Sequence, residues 1–155
     1  MKIYRLNRKQ LIKHDINFVW NFFSNPTNLK EITPKDMGFI VTSELPTEVY
    51  AGLVITYKIS PIAGLPVNWV TEITHLDRLN YFVDEQRFGP YKFWHHTHKF
   101  KLTDEGVIME DTVYYGLPFG ILGRIAHSIF VRKKLEQIFD YRFKVLENYF
   151  NTINS

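Results

Sequence analysis

Apolar and polar residues alternate with a period of two along most of the first 117 positions, and from Gly120 onward the period becomes helical. Residues 2–12 alternate imperfectly and predict a first strand. His14-Asp15 offers a helix cap, and Ile16, Val19, Trp20 and Phe23 keep helical spacing until Asn25-Pro26 stops it. Residues 27–32 predict a second short helix that ends before Pro34. Strands are predicted over 38–45, 53–60, 67–76, 81–88, 93–102 and 107–117, the later ones separated by short turns bearing Gly, Asn or Asp. Short connections favour antiparallel neighbours, and such a sheet needs a large element to cover its apolar face. Residues 120–150 supply the one helix large enough. The expected fold class is α+β, built as one domain over residues 1–155.

That helix carries two apolar stripes. Leu122, Ile125, Ala126 and Ile129 form the first; Leu135, Ile138, Phe139, Arg142, Leu146 and Tyr149 form the second, on nearly the opposite side of a straight helix. One sheet cannot receive both. The change of phase at 131–134 therefore predicts a kink, a break or two burial partners. The second stripe should pack on the sheet, leaving the first to cover a pocket mouth or meet a partner.

The chemistry concentrates in the strand after Gly89-Pro90. Trp94, His96, His98 and Phe100 share one face, because successive strand side chains point to opposite sides. A simple hairpin register places Gln86 opposite His96 and Asp84 opposite His98; the next turn places Asp111 opposite His98 and Met109 opposite Phe100. A slip of one residue would move a whole strand to the other face. Four readings fit two histidines among carboxylates and aromatics. They are a satisfied buried network, the polar end of a ligand pocket, a metal site from His96-x-His98 with Asp111, and a His–Asp acid–base pair. His-x-His is short and has no second pair elsewhere, so neither a metal nor a cofactor is expected. No nucleophile or cofactor loop is visible, so no catalytic residue is assigned. The candidate ligand contacts are Tyr57, Trp69, Phe82, Trp94 and Tyr115 for apolar area, with Asp84, Gln86, His96, His98 and Asp111 orienting a polar group.

Composition adds to the pocket reading. Aromatics make up 16% of the chain, with 13 Phe, 9 Tyr and 3 Trp, and serve equally as core filler or as cavity lining. Three loops at one end of the meander, 61–66, 89–91 and 117–121, are Pro/Gly-rich yet apolar, whereas turns are normally polar. Such a rim suggests an entrance, a homodimer contact or a transient membrane contact. The net charge of +3 is modest and the basic residues are scattered apart from Arg132-Lys133-Lys134, so no nucleic-acid partner is expected. The chain has no cysteine, which excludes disulfides and thiol catalysis. No signal-peptide pattern opens the chain and no apolar run approaches a transmembrane span, so a cytoplasmic protein is expected.

Several motifs together resemble a known group. They are residues 84–91 (DEQRFGPY), 94–98 (WHHTH), 111–118 (DTVYYGLP), Leu122-Gly-Arg with 130–135, and 138–142 (IFDYR). The whole chain is similar to the SRPBCC (START, polyketide-cyclase and pollen-allergen) superfamily, and within it to small bacterial ligand-binding SRPBCC proteins. The resemblance implies a helix-grip fold, with a curved sheet wrapped around the C-terminal helix over an apolar cavity. It implies binding or transport of a hydrophobic small molecule such as a lipid, quinone or polyketide, and cyclase or dehydratase chemistry in some members. It carries no catalytic residue across.

Overall fold

Turn residues convert the period-two pattern into an antiparallel meander. The computed structural model describes residues 1–62 and 65–153. Its strands are β1 (Ile3–Ile12), β2 (Ile40–Val41), β3 (Val54–Ile62), β4 (Leu65–Asp77), β5 (Tyr81–Phe88), β6 (Phe93–Thr103) and β7 (Gly106–Gly116). They form one sheet in the order β1-β7-β6-β5-β4-β3-β2. The β6–β7 turn closes at Gly106, whose φ of +133° and close approach to the Ile12 carbonyl both exclude a side chain. Register shifts between Val70 and Thr71 and between Ile73 and His75 interrupt the β4–β5 ladder, and such bulges bend a sheet.

Between β1 and β2 lie α1 (Ile16–Ser24) and two 3₁₀ turns, Pro26–Lys30 and Lys35–Met37. Asp15 caps α1 as expected, accepting from the amides of Asn17 and Phe18. The second short helix is 3₁₀ rather than α, capped by Asn25 and opened by Pro26. The strand expected over 38–45 shrinks to two residues. There the Ser43 hydroxyl accepts the Thr56 amide, taking the place of a ladder carbonyl, so the edge peels away.

The C-terminal helix changes phase as its stripes require. It runs as α2 (Gly120–Ala126), a π-helical turn (His127–Val131) and α3 (Arg132–Ile153), with the Arg132 amide bonded to the His127 carbonyl five residues back. The wider turn rotates the side chains that follow. Leu135, Phe139, Leu146 and Phe150 of α3 are buried, each contributing about 2 kcal/mol of apolar burial. Leu122 and Ile129 of the first stripe stay 71% and 70% exposed. The second stripe ends on Phe150, not Tyr149, which is exposed. The result is an α+β helix-grip fold.

Candidate functional site

A cavity of about 240 Å³ lies between the concave sheet and α3, lined mainly by aromatic and aliphatic side chains. Strands β3, β4, β5 and β6 bring Tyr57, Trp69, Phe82 and Trp94 to its wall, and α3 brings Ile138 and Phe139. Tyr57 and Trp69 stack at 5.9 Å between ring centroids, and Trp94 meets Trp69 edge-on at 5.3 Å. The Tyr57 hydroxyl is 2.9 Å from Thr71 Oγ1, and burial raises its pKa well above the ordinary phenol value.

One end of the cavity is charged. His96 and His98 lie side by side, with ring centroids 3.8 Å apart, between Asp84 of β5 and Asp111 of β7. Asp84 Oδ2 is 2.9 Å from His98 Nε2 and 3.2 Å from His96 Nδ1. Asp111 Oδ1 is 2.8 Å from His96 Nε2 and 2.9 Å from His98 Nδ1, the latter too poorly aligned for a hydrogen bond. Phe82 stacks on His98, and the Trp94 indole donates to Asp84 Oδ1 at 3.3 Å. Burial alone would raise both carboxyls, but the imidazoles overcome it: Asp84 and Asp111 are both held well below the ordinary carboxylate range. Burial likewise pushes His96 down, yet Asp84 and Asp111 outweigh it and lift that imidazole to about 9.

The register explains who meets whom. β6 and β7 pair as expected, with His98 opposite Asp111 and Phe100 opposite Met109. β5 and β6 pair two residues away from expectation, with Asp84 opposite His96 and Phe82 opposite His98. The shift is even, so every residue keeps its face. Its cause is Gln86, whose side chain folds into the loop, donating to the Tyr91 carbonyl at 2.6 Å and accepting the Tyr91 amide at 3.1 Å. Gln86 is thus a loop staple and does not line the cavity. Tyr115 is also turned elsewhere, with its hydroxyl 2.9 Å from His127 Nε2. Asp111 stands behind the histidines rather than in the wall.

Sequence reasoning missed Arg142 as a site residue, although a lone cation in the apolar stripe of α3 was the available signal. Its guanidinium lies over the Phe139 ring and 3.7 Å from Asp111 Oδ2. Nε and Nη1 of Arg142 and Nε1 of Trp69 are buried donors without hydrogen-bond partners, and both residues line the cavity. Tyr91 and Leu117 of the apolar loops also reach the wall, whereas Phe119 and Ile121 are exposed. In the 61–66 loop, residues 63 and 64 lie outside the described residues.

Solved structures share this architecture. Protein TTHA0849 from Thermus thermophilus matches with a TM-score of 0.70 at 20% identity, over 99% of this chain and 100% of that one. Ginseng major latex-like protein 151 from Panax ginseng matches with a TM-score of 0.68 at 15% identity, over 95% and 97% of the two chains. Protein Ms6760 from Mycobacterium smegmatis gives 0.64 at 15%, over 94% and 92%. Identities this low establish the shared fold and nothing finer. No protein-family model matches the chain, and no curated protein matches it closely enough to be called similar.

Proposed function

We propose that this chain, as a small ligand-binding SRPBCC protein, holds a hydrophobic small molecule in the cavity and acts as its carrier or sensor. The observation that carries this reading is the cavity itself, apolar along its wall and charged at one end. Aromatic side chains would cover the body of a lipid, quinone or polyketide-like ligand. The donors of Trp69 and Arg142 that lack hydrogen bonds would meet an oxygen on it, since a buried donor without a hydrogen bond is costly. A thermal-shift panel of fatty acids, isoprenoid quinones and aromatic polyketides tests the reading. A true ligand at a hundredfold excess over Kd stabilises by about 2.7 kcal/mol. The cavity-filling Ile138→Trp variant should lose that response while remaining folded. No response across the panel counts against the reading.

The exposed face of α2 favours a contact with an anionic membrane surface during loading. Phe119, Ile121, Leu122 and Ile129 are 81%, 65%, 71% and 70% exposed. Arg124, Arg132 and Lys133 lie exposed in the same stretch, and no acidic residue occurs from 112 to 135. An apolar stripe flanked by cations suits an anionic interface. The chain should co-sediment with vesicles containing anionic lipid, less so at high salt, and Leu122→Ser with Ile129→Ser should abolish binding. Dimerisation through this face in place of vesicle binding would contradict it.

A further inference from the structure

We infer that Asp84 Oδ2, His96 Nδ1 and His98 Nε2 bind one divalent transition-metal ion of the zinc class at the floor of the cavity. One ligand atom from each of the three residues lies within 4.8 Å of the other two. The two nitrogens are 3.2 and 2.9 Å from the carboxylate oxygen. Ligand atoms around a tetrahedral ion with bonds near 2.0–2.1 Å stand about 3.3 Å apart, close to both nitrogen–oxygen distances. Two imidazoles and one carboxylate form a donor set suited to zinc and its neighbours rather than to calcium or magnesium. All three residues line the cavity, so the remaining coordination position opens onto it, where an oxygen of a bound molecule or a water would complete the shell.

The outer shell has the matching form. The second nitrogen of each ring backs onto one carboxylate, with Asp111 Oδ1 2.8 Å from His96 Nε2 and 2.9 Å from His98 Nδ1. A carboxylate behind a ligating histidine fixes its tautomer and orientation. Asp111 is itself faced by Arg142 from α3. Donor accounting supports the ion as well. Four close nitrogen–oxygen approaches are all attractive without metal only if both rings carry two N–H groups, which puts two cations 3.8 Å apart. A divalent ion standing where the two inner protons would be leaves the total charge unchanged. Each ring is then neutral, with its remaining N–H on the Asp111 side, hydrogen-bonded in His96 and 2.9 Å away but poorly aligned in His98. The sequence led to no metal being expected, and the metal reading weighed there took Asp111 as third ligand; the two-residue shift of β5 puts Asp84 there instead.

The ion and the apolar ligand are separable, so either can fail without the other. The test strips the full-length protein with chelator and titrates it with Co²⁺, reading the visible absorption band and the hyperfine-shifted imidazole N–H signals by NMR. One equivalent should saturate both, and Zn²⁺ should displace it. Asp84→Asn should weaken Co²⁺ binding at least tenfold and Asp111→Asn by ten- to a hundredfold, whereas His95→Gln, on the outer face, should change nothing. Absence of a band and of shifted N–H signals from the wild-type protein overturns the proposal, as does undiminished binding by a folded His96→Gln/His98→Gln variant. The NMR signals come from the wild-type chain, so the test survives a variant that fails to fold.

Discussion

Asp111 faces both histidines and Arg142 in the charged cluster. Asp111→Asn leaves buried cations without their counter-charge, and urea denaturation should record a loss of about 3 kcal/mol. The same contacts fix the pH response of metal-free protein. His96 rises from 6.5 to about 9 on folding, so its contribution is complete below pH 6.5 and is lost as pH rises through 9. Asp84 and Asp111 are depressed, so theirs is present above about pH 4 and disappears in acid. Chelated protein should therefore melt highest between about pH 4 and 6.5 and fall steadily toward pH 9; a melting temperature flat from pH 6 to 9 would contradict this. Much of the cluster was legible at this scale, because alternation alone assigns Trp94, His96, His98 and Phe100 to one face. Gln86 was not, because a side chain that hydrogen-bonds the loop backbone leaves no mark on hydrophobic periodicity.

The C-terminal helix shows most clearly what periodicity conveys about an element. Its two stripes demanded a change of phase near 131–134, and the π-helical turn at His127–Val131 supplies it just upstream. Periodicity could not say whether the helix would kink, break or widen, since all three rotate the following face. The stripes differ in burial and so in energetic weight. Leu146→Ala removes a fully buried side chain from α3 and should cost about 3 kcal/mol in urea denaturation. Leu122→Ser, on the exposed stripe, should change stability by less than about 0.5 kcal/mol. The edge strand was the least legible element. Residues 38–45 alternate well enough for a strand, but the Ser43 hydroxyl takes the Thr56 amide and the ladder stops at Ile40–Val41, with the Thr42 amide still bonded to the Thr56 carbonyl.

For the molecule, sequence order sufficed for the architecture: the meander, short connections and one long helix leave few ways to cover a sheet. The cavity was less legible, since Tyr57, Trp69 and Phe82 would read the same in a solid core. Its volume depends on how far the bulges in the β4–β5 ladder bend the sheet away from α3, and bulges have no pattern in the apolar positions. Among the described residues no helix is long and apolar enough to cross a membrane. The central claim is that the cavity holds an apolar guest. Native mass spectrometry of gently purified protein, before and after solvent extraction, addresses it most directly. The account predicts an added mass that extraction removes and that Ile138→Trp never acquires. Bare protein from every preparation, with no added mass after incubation with lipids, quinones or polyketides, would contradict it.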